Sequence, residues 1–290
     1  MQISAGLEHI FGIAQSDLNK FIIIIVITFI GLISVCLGLD KGIKRLSQVN
    51  MIIALFMLLV VFALGPTIFI LNSLVQNFGA YLNSIIQSAT YTEAYDTSSW
   101  QNGWTLFYFT WWFAWAPFVS LFIARISYGR TVKEFVIGVL FVPSLIVFIW
   151  MGIFGNAAIH QVINETSNLG EIVSNNFPVA LFSLYDAYPL SKILSIITLI
   201  LIVTFFVTSS DSGSLVASML SSKKQFNIND DSPIFTRATW AILLGVLAAV
   251  LLKAGGLVAL QTSVVILGVP FAIIVIFAIK NLYKSLEDEL

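Results

Sequence analysis

The sequence predicts an all-α integral membrane protein with seven transmembrane helices, and three observations carry that prediction. Of 290 residues, 58% are hydrophobic and 10% are charged, whereas a soluble domain keeps about 25% charged residues to face water. Seven apolar stretches lie near the length of about 20 residues that a helix needs to cross the hydrocarbon core. Basic residues also gather in alternate connections between those stretches. Helix rather than strand follows because lipid offers no partner to an unpaired peptide group. A net charge of −1 leaves no basic footprint for nucleic acid. The single cysteine, Cys36, precludes an internal disulfide framework, and with two histidines it builds no metal cluster.

The first span, 20–39, starts with Phe21-Ile22-Ile23-Ile24-Ile25-Val26 and closes at Asp40 and Lys41. No signal peptide is expected before it, because residues 1–19 lack a basic start and an apolar run and are interrupted by Glu8 and Asp17. The second span, 51–71, holds Pro66, read as a kink. Residues 72–103 contain no Lys or Arg, while Leu74, Val75, Phe78, Leu82, Ile85 and Ile86 recur at helical spacing. That pattern predicts an amphipathic helix along the membrane surface. The third span, 104–125, leads through a basic turn into the fourth, 135–154, where Pro143 is again read as a kink. After a loop at 155–191 come the fifth span, 192–210, a polar loop or short helix at 223–237, and the last spans, 238–253 and 257–279. Eleven of 14 basic residues, among them Lys44, Arg45, Arg130, Lys133 and Lys284, then fall on one side. The excess predicts an N-terminus outside and a C-terminus in the cytoplasm of a multi-pass cell-membrane protein.

Chemistry concentrates in two places. In the third span, Trp104, Phe107, Tyr108, Trp111 and Trp115 share one side of a helix at about 100° per residue. Trp104 fits the membrane interface, where its N–H reaches water. Trp111 and Trp115 lie roughly 10–16 Å deeper at about 1.5 Å per residue. Stacked ring faces at that depth suit a quaternary ammonium, which cannot donate a hydrogen bond; packing between helices is the other reading. Pro117 in the same span either kinks the helix or frees a carbonyl for a ligand. In the fifth span, the adjacent hydroxyls of Thr208 and Ser209 form, with backbone carbonyls, a hard-oxygen set for sodium; alternatively they bond back one turn. Asp211 could pair with an Arg, cap the next helix or stay hydrated, and a structural role is expected. The turn Arg125 to Lys133 reads as a topology anchor. The chain has no His-Glu-x-x-His, and Ser209, Ser210 and Asp211 have no base near them in sequence, so catalysis is not expected.

At these residues the chain resembles the betaine/carnitine/choline transporter (BCCT) family. The resemblance rests on Phe107-Tyr108-Phe109-Thr110-Trp111-Trp112-Phe113-Ala114-Trp115-Ala116-Pro117-Phe118, on Ala124-Arg125-Ile126-Ser127-Tyr128-Gly129-Arg130-Thr131, and on Thr208-Ser209-Ser210-Asp211-Ser212-Gly213-Ser214. It extends more weakly through Gly65-Pro66-Thr67 and Gln2-Ile3-Ser4-Ala5-Gly6-Leu7. It implies a secondary transporter for trimethylammonium compounds such as glycine betaine, choline or carnitine. By match, Phe107, Trp111, Trp112 and Trp115 belong to an aromatic box around the substrate ammonium. Thr208 and Ser209, with the carbonyl of Phe205, match a sodium site, so sodium is the expected coupling ion and no other cofactor is expected.

The resemblance also implies a 5+5 inverted-repeat (LeuT-type) fold, of which this chain is the later part. Residues 1–71 would then be the end of the first repeat, a partial helix plus two spans; 72–103 would connect the repeats, 104–280 form the second repeat, and 281–290 a short cytoplasmic tail. The partners implied are the solute, the lipid bilayer and a missing N-terminal half carrying the other wall of the box. A homotrimer is implied as well, although no segment marks its interface. A reading of another class is a non-transporting membrane binding or assembly protein, or an inactive truncated product.

Overall fold

The computed structural model describes residues 1–37, 44–222 and 232–288. Eleven α-helices are present among them: α1 Gln2–Phe11, α2 Asp17–Leu37, α3 Lys44–Leu64, α4 Thr67–Ala89, α5 Phe107–Ile126, α6 Val132–Ile163, α7 Leu169–Asn175, α8 Ala180–Tyr185, α9 Ser191–Ser221, α10 Ile234–Lys253 and α11 Leu257–Asp288. Seven of these, α2, α3, α5, α6, α9, α10 and α11, are long and apolar enough to cross a membrane. The all-helical, seven-span prediction is therefore met.

Several predicted ends move. The second span was read through Pro66, but α3 stops at Leu64 and α4 begins at Thr67. Proline cannot donate to the ladder, and Thr67 Oγ1 instead donates to the Phe62 carbonyl at 2.8 Å. Gly65 makes the break tight: a Cβ there would stand 2.6 Å from the Val61 carbonyl oxygen and 3.1 Å from Tyr188 Oη. Helix α6 runs past 154 to Ile163, and α9 past 210 to Ser221. Pro117 and Pro143 lie inside continuous helices, so each reduces a hydrogen bond without ending its helix. The predicted polar stretch 223–237 falls outside the described residues up to 231, and α10 begins at Ile234.

The chain forms two compact units, with boundaries inside α4 and α9. The first comprises 1–84 and 130–213. Its core gathers Met57 and Val61 of α3, Ile70 of α4, Phe154 and Ala157 of α6, and Tyr185 of α8. The extension of α6 is possible because its polar residues find partners. Asn156 Nδ2 donates to the Gly152 carbonyl at 2.6 Å, and Gln161 Nε2 to the Leu184 carbonyl at 3.0 Å. Helix α6 starts on a capping box, Thr131 Oγ1 accepting from the Glu134 amide while Glu134 Oε2 accepts from the Thr131 amide, which satisfies two orphan donors. The amphipathic helix predicted within 72–103 is α4. Leu74 packs against the core and Phe78 meets Phe148 edge-on at 5.8 Å, while Val75 and Ile86 stay exposed.

The second unit comprises 85–129 and 214–290, and in it α5 packs along α11. The two helices come close at Gly268, where a Cβ would stand 2.5 Å from Thr110 Cβ. Small residues serve this purpose in membrane helices, letting two backbones approach.

Candidate functional site

The aromatic set is built on α5. A π-helical turn, Gln101–Leu106, precedes that helix, and its start is held by Glu93. The Glu93 carboxylate accepts from the Ser98 hydroxyl, from the Trp100 amide at 2.6 Å and from the Gln101 amide at 2.9 Å. The Ser98 hydroxyl, then the Gln101 and Trp100 amides, hold this carboxyl below its ordinary value. A depressed folded-state value means that the contribution is present above the unfolded value and is lost as pH falls through the folded one. Acidification through that range should lower the protection of the Trp100 and Gln101 amides against hydrogen exchange, taken relative to the intrinsic rate at each pH. Glu93→Gln should remove the pH step; a step that persists in this variant would assign it to another group.

From the π turn onward the rings form a ladder. Trp104 and Tyr108 stack nearly parallel, at 5.9 Å and 3°. Phe107 lies 5.3 Å from both Tyr108 and Trp111, and Tyr108 lies 6.0 Å from Trp111. Trp115 continues on the same side and contacts Phe118 at 6.4 Å. Trp112, the member assigned by resemblance rather than spacing, is 68% exposed on another face of α5. Trp111 and Trp115 are also exposed, at 44% and 46%. Cation–π attraction requires a centre within about 6 Å of a ring. Thr110 leaves the ladder undisturbed, because its hydroxyl bonds back to the Leu106 carbonyl at 2.7 Å.

The oxygen set lies in the first unit, on α9. Thr208 Oγ1 donates to the Phe205 carbonyl at 2.9 Å, which brings two of the three expected sodium ligands together. It is also the back-bonding that hydroxyls in membrane helices adopt. Ser209 is exposed beside them. Among the described residues no three His, Cys, Asp or Glu side chains gather. Two sequence options for Asp211 are corrected. It sits inside α9 rather than at a helix start, and at 1% exposure it is not hydrated. Ser34 of α2 donates a hydrogen bond to its Oδ2. A carboxylate in a membrane helix signals that a partner exists, but nothing local names Ser34, which is 177 residues away.

Fold and site together define a multi-pass helical membrane protein with an aromatic ladder on one spanning helix and a compact set of oxygens on another. A family model described as BCCT, betaine/carnitine/choline family transporter, matches residues 1–290. The chain belongs to this family, which is one of transporters and not of enzymes. It is 39% identical over 287 residues to a glycine betaine transporter of Acinetobacter baylyi, covering 99% of this chain and 43% of the relative. It is 39% identical over 290 residues to a glycine betaine transporter of Bacillus subtilis, covering 99% of this chain and 55% of the relative. To the high-affinity choline transport protein of Escherichia coli it is 38% identical over 290 residues, covering 100% of this chain and 43% of the relative. The chain thus spans about half the length of the curated relatives it matches.

Proposed function

We propose that this chain forms the later part of a secondary transporter that takes up trimethylammonium compounds, glycine betaine, choline or carnitine, coupled to sodium. The observation that carries this reading is the ring ladder Phe107–Tyr108–Trp111 on α5 in a chain of this family. Phe107, Trp111 and Trp115 supply one wall for the ammonium, with Trp112 a further ring on the adjoining face of α5. Thr208, Ser209 and the Phe205 carbonyl hold the coupling ion through neutral oxygens. The basic excess in alternate connections supports an N-terminus outside and a C-terminus in the cytoplasm. In this reading 1–71 ends the first repeat, 72–103 connects along the membrane surface, 104–280 is the second repeat and 281–290 is the cytoplasmic tail. A homotrimer is the proposed assembly; size-exclusion chromatography with light scattering would return one protomer mass instead if the protein acts singly.

The functional test is uptake of labelled betaine, choline and carnitine, with and without sodium, in cells lacking their own uptake systems. The chain is expressed alone and joined to the N-terminal portion of the Bacillus subtilis relative. Sodium-dependent uptake is expected only from the joined protein, because the box then has both walls. Robust uptake by the chain alone would overturn the shared-wall reading. Absence of binding in the joined protein would favour a non-transporting membrane protein. In the joined protein, Trp111→Ala or Trp115→Ala should weaken betaine binding by about 0.5–2 kcal/mol for each lost cation–π contact. Unchanged dissociation constants in both, measured by calorimetry, would return those rings to a packing role.

A further inference from the structure

We propose that Asp211, held by Ser34, is a positioning residue for the sodium-binding hydroxyls of α9; this rests on the sodium reading of Thr208 and Ser209 above. Ser34 on α2 donates to Asp211 Oδ2, and both side chains are more than nine-tenths buried, at 8% and 1% exposure. The two helices approach at this level. A Cβ built on Gly31, one turn before Ser34, would stand 3.8 Å from Ser210 Oγ, one residue before Asp211. Successive turns of α2 therefore meet successive residues of α9.

Asp211 follows Thr208 by three residues and Ser209 by two on an unbroken helix. At about 1.5 Å per residue, the point where α2 grips α9 is only about 3–5 Å along the axis from the hydroxyl pair. Any slide or rotation of α9 against α2 moves both hydroxyls, and the Ser34–Asp211 bond opposes that movement. The rest of the carboxylate argues against a purely stabilising role. Its Oδ1 is buried and accepts no hydrogen bond among the described residues. Buried polar atoms in native structures are nearly always satisfied, and an unsatisfied one calls for a reason beyond stability. Positioning of an ion site on the adjoining turn supplies that reason.

The test uses the joined transporter and separates sodium from solute. Ser34→Ala is expected to raise the sodium concentration for half-maximal uptake at least threefold. The KM for betaine at saturating sodium should stay within twofold of the parent. Ser34→Thr, which restores a hydroxyl, should return the sodium response toward the parent. Asp211→Asn, which keeps an acceptor facing Ser34, should fall between. If Ser34→Ala does not reach the membrane, Ser34→Cys, close in volume and a weaker donor, carries the same expectation. An unaltered sodium response in Ser34→Ala and Ser34→Cys overturns the proposal, as does a parallel change in sodium response and betaine KM. Uptake by the parent that ignores sodium sinks both this proposal and the sodium reading, whereas sodium-dependent parent uptake with an unaltered Ser34→Ala sinks only this one.

Discussion

Gly268→Val should be among the most damaging single changes in the second unit. A Cβ at this position would lie 2.5 Å from Thr110 Cβ, 2.6 Å from the Thr110 carbonyl oxygen and 2.8 Å from Thr110 Cα. Two of these three atoms are backbone, so no rotamer change clears the space; the helices α5 and α11 must separate. Overpacking costs about 1–3 kcal/mol where side chains can give way, and the upper end or beyond is expected here. Thr110 immediately precedes Trp111, so separation also displaces the ring ladder. Thermal unfolding in detergent should show a lowered midpoint, and the joined transporter should lose betaine binding. Gly268→Ala should follow in the same direction with a smaller effect. A valine variant with the parent's midpoint would show that α5 and α11 do not meet through these atoms.

In the first unit, Phe182→Ala should have the second large effect. Phe182 of α8 is fully buried. Its ring lies against Gly6 of α1, where a Cβ would stand 2.5 Å from Cζ, and its centroid lies 6.1 Å from the His9 ring. Removing a buried phenyl group costs about 3–5 kcal/mol, because transfer energy is lost and a cavity remains. The loss falls mainly on the seating of α1. His9 Nε2 also lies 3.1 Å from Asp186 Oδ1, but a polar contact at the surface contributes about 1 kcal/mol or less. Amide hydrogen exchange across Gln2–Phe11 should therefore accelerate before the rest of the unit is affected. Exchange in α1 that matches the parent would mean that Phe182 does not seat it.

These two sites show where reading along the chain runs out. The seven spans were legible because each is a contiguous apolar run, and the ring ladder was legible because i, i+3, i+4 and i+7 positions lie together on any α-helix. The pairing of Thr208 Oγ1 with the Phe205 carbonyl was legible for the same reason, being one turn long. Helix ends were misplaced wherever polar residues interrupt hydropathy yet are satisfied by distant groups. Gln161 allows α6 to continue because Leu184 accepts its hydrogen bond. Asp211 lies within α9 with Ser34 as its donor. By sequence Pro66 reads as a kink, because proline in a membrane helix usually is one. Its neighbour Gly65, pressed between Val61 and Tyr188, belongs instead to a full break. Trp112 belongs to the candidate site by likeness of motif rather than by spacing, since the helix places it on the face adjoining Trp111.

Composition and local spacing were thus sufficient for the membrane solvent, the helical class and the residues on one face of α5, while the family came from the resemblance of its motifs. Those properties follow from side chains within a single segment, whose energetics in lipid depend little on the rest of the chain. The grip of α2 on Asp211, the backbone approach of α11 to Thr110 and the seating of α1 on Phe182 came only with packing. Each joins segments far apart in sequence, and each depends on interatomic distances that the path of the folded chain sets and that no run of residues encodes on its own.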